Sequence, residues 1–276
     1  MPATATFDAP AGRLAGDRSG RGEPVLLLHG IGTSRGDFTA LVGRLADDHD
    51  VLAVDLPGHG GSPPLGRAHT AAAIADAVES ELDARGLGPV HAVGNSLGGR
   101  VALELGRRGR ARSIVALAPS GLALPHERVY QASLMARARV ELSALRPAIP
   151  AMARTAAGRT ALLAPLRARP WAATEHEALA LRGGFAGAER FWDTLWWNVL
   201  IDVPAGLAAI RCPVTLVQGG LDAVAPGHAP RYLALIPGAR LVTLPFAGHA
   251  PQADSPDEVA RIVRATILRA REASGR

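Results

Sequence analysis

The sequence predicts an α/β protein built on a parallel sheet with helices on both faces. Three observations carry that expectation. Continuous apolar runs of strand length alternate with helix-like segments from about residue 24 to residue 118. Those runs lack the apolar/polar alternation of a half-exposed strand, as strands covered from both sides must. The 276 residues suffice for one large domain with room for an inserted subdomain, and at that length folding buries about three quarters of the unfolded chain's surface.

The elements follow in order. The first fifteen or so residues are expected to form an antiparallel pair at the sheet edge. PVLLLHG (24–30), DVLAVDLPGHG (50–60), PVHAVGN (89–95) and SIVALAPSG (113–121) read as four buried strands. DFTALVGRLADD (37–48), HTAAAIADAVESELDARG (69–86) and the segment after Ser96 read as the helices between them. The pattern then breaks. From 122 to 205 there is no strand run, prolines recur, and all four tryptophans (Trp171, Trp192, Trp196, Trp197) are concentrated there. This predicts an insertion of short helices. The α/β pattern resumes with strands in PVTLVQGGLD (213–222) and ARLVTLPFAGH (239–249) around a helix at 227–238. A closing helix over 255–273 begins with Ser255 as N-cap, Pro256 at the first position and acids in the first turn. The core is thus expected over 1–121 and 206–276, with the insertion at 122–205.

Composition excludes several function classes. The net charge is +5, and all 30 basic residues are arginine. They are scattered apart from short runs such as GRRGRAR (106–112), without the stripe that a nucleic-acid partner requires. No run reaches membrane-span length, and the N-terminal stretch lacks both a charged lead and an apolar segment, so a cytoplasmic location is expected. The single cysteine, Cys212, rules out an internal disulfide and sits between Arg211 and Pro213 at a strand entry, where it reads as a small structural residue.

One short stretch carries the chemistry. In Gly94-Asn95-Ser96-Leu97-Gly98 a serine stands between two glycines, where a buried strand stops and a helix must begin at once. Such a turn holds the serine in a strained conformation and lifts its hydroxyl clear of the backbone. A hydroxyl is a weak nucleophile without a base and an orienting acid. In parallel sheets reactive groups gather at the strands' carboxyl ends. Ser96, Asp222 and His249 all follow strands, and the chain order Ser, Asp, His belongs to one known triad architecture. His249 is expected to take the Ser96 proton, and Asp222 to fix the imidazole. The backbone N–H of Leu97 and that of Ile31, in the glycine-rich HGIGTS loop, are the expected oxyanion donors.

With these residues placed, the chain resembles the α/β-hydrolase superfamily. HGIG (29–32), DLPGHGGS (55–62), GNSLGG (94–99), GGLDAVAP (219–226) and AGHAPQADSPDEV (247–259) match in the family's order and span most of the chain. The resemblance implies a mostly parallel eight-stranded sheet with a helical cap after the sixth strand, where the 122–205 insertion falls. Members with an aspartate nucleophile include haloalkane dehalogenases and epoxide hydrolases; Ser96 at that position argues against those activities here. GNSLGG also resembles the elbow of carbon–carbon bond hydrolases, but Ala250 stands where those relatives usually carry tryptophan. Cofactor-free perhydrolases share the triad. Receptors on this fold often lose a triad member, whereas this chain keeps all three.

The remaining polar motifs read as structural. His29 and His59 shape loops, Asp55 shapes a turn, and TEHE (174–177) is a polar helix face, not a metal pair. The expected reaction is acyl transfer to water on a small apolar ester, thioester or lactone, with no metal and no cofactor. Trp192 and Trp196, one helical turn apart, are candidates for the substrate pocket.

Overall fold

A computed structural model describes residues 4–9, 13–180 and 184–275. Part of the expected N-terminal edge pair (1–3 and 10–12) and insertion residues 181–183 lie outside the described residues.

Eight strands form one sheet: β1 (Thr4–Phe7), β2 (Gly16–Gly20), β3 (Glu23–Leu28), β4 (His49–Val54), β5 (Val90–Asn95), β6 (Ala111–Leu117), β7 (Val214–Gly219) and β8 (Arg240–Leu244). Their spatial order is β1-β2-β4-β3-β5-β6-β7-β8. β1 pairs antiparallel with β2, and β2 with β4; every other pairing is parallel. The edge pair expected from the first residues is present, with β2 running on to Gly20.

Period-two geometry explains why the strand runs had to be continuously apolar. In β3, Val25 and Leu27 enter one buried cluster while Leu26 and Leu28 enter another on the opposite face. The first cluster is closed by α1 (Thr39–Leu45) and by the C-terminal helix Pro256–Ala273, through Leu41, Leu45, Val259, Val263 and Ile267. The second is closed by α2 (Ala71–Ala84) and α3 (Leu97–Arg107), through Ile74, Val78, Leu82, Val101 and Leu105. Thr70 caps α2, its hydroxyl accepting from Ala73 N at 3.1 Å. Ser255 holds the N-cap position of the last helix but makes no side-chain capping bond, so the start there rests on Pro256 and the first-turn acids.

Between β6 and β7 the described residues form helices and turns only. α4 (Pro125–Ala144) is the longest, at 20 residues, where only short helices were expected. α5 (Ile149–Ala153), α6 (Ala156–Leu163), α7 (Glu175–Leu179) and α8 (Phe191–Leu195) follow, and α8 widens into a π-helical turn over Trp196–Ile201. Thr174 and Glu177 of the TEHE motif cap α7 reciprocally. After β7 come α9 (His228–Leu235), β8, the short α10 (Pro251–Asp254) and α11, the C-terminal helix Pro256–Ala273. Because β3, β5, β7 and β8 are mutually parallel, the loops leaving them share one rim of the sheet, beneath the insertion.

Candidate active site

Ser96 is the single residue between β5 and α3, with φ 53° and ψ −113°. A side chain at positive φ costs about 1–3 kcal/mol, so the surroundings must impose it. Ser96 N donates to Leu117 O at 2.9 Å, and its carbonyl accepts from Arg100 N and Ser120 N, each at 3.1 Å. The flanking glycines are steric necessities. A Cβ on Gly94 would lie 2.1 Å from Gly98 O, and one on Gly98 would lie 2.0 Å from Leu28 O. The strand, the turn and the helix start touch backbone to backbone.

The acid and the imidazole are in contact. His249 Nδ1 lies 3.1 and 3.0 Å from the two Asp222 carboxylate oxygens, and both side chains are buried. The carboxylate also accepts from Val224 N at 2.8 Å, Ala225 N at 2.9 Å and Gln218 Nε2 at 3.0 Å. Burial alone would raise the Asp222 pKa. The neighbouring imidazole and the two backbone donors outweigh it and hold the group at about 2. An ionised carboxylate can only accept, so Nδ1 of His249 carries the proton and a neutral ring keeps its lone pair on Nε2.

Ser96 and His249 face one cavity of about 60 Å³. No hydrogen bond joins Ser96 to the imidazole among the described residues; such contacts commonly tighten only when substrate is bound. Ile31 lies on the cavity wall. Neither its N–H nor that of Leu97, in the first turn of α3, has an acceptor among the described residues. The Leu97 N–H is one of the free donors at the start of α3, and Ile31 shares the cavity wall with Ser96.

The rest of the cavity is mostly apolar. Leu134, Met135, Ala138 and Leu142 form one stripe of α4; Leu162, Leu166, Phe185 and Val224 add further apolar wall, and Thr33, Asp37 and Asn95 are its polar members beside Ser96 and His249. Trp192 and Trp196 do not line it. Both are about half-exposed, at 51% and 54%, on the outer side of the insertion, with Trp192 edge-on to Phe191. The i, i+4 pairing places the two rings together but cannot say which way they face. Phe185 is the aromatic on the cavity wall, and it carried no periodic signal in sequence.

Several positioning residues escaped the sequence reading. Asn95 Nδ2 donates to Leu117 O at 3.2 Å and to His249 O at 2.8 Å, tying the serine turn to the histidine loop. Asp254 accepts from Gly248 N at 2.8 Å, Ala168 N at 2.9 Å and Arg167 Nε at 3.0 Å, tying that loop to the insertion. Gln131 of α4 donates to Val224 O at 2.9 Å, and Tyr130 to Ala223 O at 2.9 Å, on the loop that carries Asp222. For Asn95 and Asp254 the available signal was a polar residue inside a turn-forming motif; Tyr130 and Gln131, on α4, carried none.

The residues read as structural take structural roles. His29 Nε2 accepts from Leu56 N at 2.8 Å, and burial lowers its pKa. Burial likewise pulls His59 down to about 3. Asp55 accepts from Arg35 N and Gly61 N across its turn. Burial pushes the Cys212 thiol up to about 11, away from reactivity.

A profile of the Alpha/beta hydrolase family matches residues 25–262. The chain belongs to that family. It is similar to a pimeloyl-[acyl-carrier protein] methyl ester esterase of Chromobacterium violaceum, with 32% identity over 84% of this chain and 89% of the relative. It is also similar to the epoxide hydrolase EphH of Mycobacterium tuberculosis, with 30% identity over 72% of this chain and 95% of the relative. Among solved structures, a serine hydrolase involved in carbazole degradation (CarC) superposes with a TM-score of 0.76 at 21% identity, over 96% of this chain and 99% of that one. At that identity the likeness speaks for the fold. Among the described residues no helix of this α/β hydrolase is long and apolar enough to cross a membrane.

Proposed function

We propose that this α/β hydrolase is a serine hydrolase that cleaves carboxylic esters of small, largely apolar molecules through an acyl-enzyme. The supporting observation is the buried Asp222–His249 pair opening onto the same cavity as the strained Ser96 turn. The core would comprise 1–121 and 206–276, and 122–205 would act as a cap.

In this reading His249 Nε2 takes the proton as Ser96 Oγ bonds to the ester carbonyl carbon. Charge on the carbonyl oxygen is met by the Ile31 and Leu97 N–H groups, which need no reorganisation because nothing else occupies them. The tetrahedral intermediate collapses, the C–O bond to the alcohol breaks, and the imidazolium returns its proton to the departing alkoxide. Water then enters, gives its proton to Nε2, and its oxygen displaces Ser96 from the acyl carbon, while the imidazolium returns that proton to Ser96 Oγ. Asp222 stays ionised throughout and stabilises the imidazolium. The C. violaceum relative's name, a methyl ester esterase, favours the same bond type.

The test is direct. A fluorophosphonate probe should label one site and p-nitrophenyl butyrate should turn over, and Ser96→Ala should abolish both while the thermal transition persists. Labelling or turnover that survives Ser96→Ala rejects the reading.

A further inference from the structure

One ionisable group in the cavity has no role in acyl transfer. Asp37 stands on the cavity wall with Ser96 and His249, among mostly apolar neighbours. It also lines a second, smaller cavity that shares Thr33, Leu166 and Ala250 with the first, so it sits where the two meet. The nearby arginines are engaged elsewhere. Arg35 pairs with Asp17 and Asp55, and Arg167 with Glu177 and Asp254. No ion pair reaches the Asp37 carboxyl among the described residues. Burial pushes its pKa up to about 6, against the lowering effects of the Thr33 hydroxyl and the Arg167 charge. A partly desolvated carboxyl with a single hydroxyl partner and no ion pair is costly unless something in the cavity adds a further donor.

We infer that Asp37 selects the substrate: the ester cleaved at Ser96 carries a hydrogen-bond donor, an ammonium or a hydroxyl, set apart from the ester group by a short apolar segment. This rests on the serine-hydrolase reading above and adds the substrate class. The apolar stripe of α4 takes the segment, and the small cavity limits its length. A substrate with a free carboxylate at that end is rejected, because two like charges would share an apolar space. A purely alkyl ester is accepted more weakly, because it strips water from Asp37 and returns no hydrogen bond.

Two ester scaffolds test this, since the donor could lie on either side of the scissile bond. Methyl hexanoate is compared with its 6-hydroxy and 6-dimethylammonio forms, and propyl acetate with its 3-hydroxy and 3-dimethylammonio forms, at about pH 8 so that Asp37 is ionised. On one scaffold the wild type should favour a donor-bearing ester over the alkyl ester by about tenfold or more in kcat/KM, the worth of a hydrogen bond to a charged group. Asp37→Leu should collapse that ratio to one or below while still hydrolysing the alkyl ester. Asp37→Asn separates the sources. If it loses the ammonium preference alone, the ligand is cationic; if a hydroxyl preference survives in Asn and disappears in Leu, the ligand is neutral. Equal ratios in wild type and both variants on both scaffolds overturn the inference, as does a wild-type preference for the alkyl esters even if the variants fail to fold. Hydrolysis that survives Ser96→Ala instead overturns the serine-hydrolase reading, so the two failures are told apart.

Discussion

The rim of the sheet and the helical insertion above it are built by different rules. At the rim, backbone meets backbone, and the Ser96 main chain, the Asp222 carboxylate and the His249 carbonyl each have named partners. In the insertion, α4 buries only Gln131 and Leu142 fully, and large apolar groups such as Val129, Val140, Trp192 and Trp196 face outward. The rim tolerates almost no change in shape, because a Cβ at Gly94 or Gly98 would come within 2.1 or 2.0 Å of neighbouring backbone oxygens. The insertion is held to it by hydrogen bonds and ion pairs: Gln131 and Tyr130 on the acid loop, Asp254 and Ala250 N on the histidine side, and Arg100 with Asp202 and Arg231 with Glu127 farther out. On the proposed reading, the reaction type belongs to the rim and the substrate preference to the insertion.

If that division is right, the largest effects belong to the rim. Asp222→Asn keeps the shape but lets Nδ1 lose its proton to Nε2, so the base faces the wrong way. A loss of about 10⁴ in kcat is expected, read by steady-state hydrolysis of an activated ester. Near wild-type turnover would show that another carboxylate orients the ring. The same group contributes to acid stability. Its folded pKa of about 2 lies below the unfolded value of about 3.9, so its contribution is complete above about pH 4 and is lost as pH falls towards 2. Wild type should therefore lose more stability than Asp222→Asn between about pH 4 and pH 2, in denaturant midpoints at each pH.

The next effect tests the insertion's inner wall. Phe185 is 4% exposed and forms part of the cavity wall. Phe185→Ala should cost about 3–5 kcal/mol of stability and shift the preferred ester chain to longer members. A stability loss with unchanged preference would make it core and nothing more.

Asp254 tests the joint between the two regions. Asp254→Asn weakens the charge-assisted bonds to Gly248 N, Ala168 N and Arg167 and should cost about 1–3 kcal/mol. Because Gly248 precedes His249, kcat should fall while KM changes little. Loss of stability without loss of kcat would mean that Asn95, the Ala250 N bond to Leu166 O and the Asp222 contact suffice to fix the histidine loop.

How much of this was legible in sequence follows the same division. Leu26 and Leu28 against Val25 and Leu27 announce a strand buried on both faces, and Gly94 and Gly98 announce the turn, because sterics leave no other residue. The candidate site residues stood out because each follows a strand whose carboxyl end lies on one rim of the parallel sheet. The insertion was readable only as helices. Leu134, Ala138 and Leu142 do repeat every four residues, but Val129 and Val140 blur the stripe, and nothing in a helix's own periodicity identifies what lies across from it. Asp37 was invisible for the same reason: its meaning comes from the cavity that several distant segments enclose.

The smallest expected effect is also the sharpest test of the outward face. Trp192 and Trp196 share a helical turn, as their spacing required, yet both stand half-exposed and away from the cavity. A buried tryptophan cut to alanine costs about 3–5 kcal/mol; these should cost about 1 kcal/mol or less. Trp192→Ala should be the larger of the two, because its ring stands edge-on to Phe191 at 5.4 Å, a contact worth about 0.5–1.5 kcal/mol. Neither should alter the chain-length preference that Phe185→Ala shifts. Melting curves and a graded ester series on the three variants measure this together. Should either tryptophan variant change selectivity as much as Phe185→Ala, the insertion must turn that face inward during turnover, and the separation between a variable outer surface and a selective inner wall would fail.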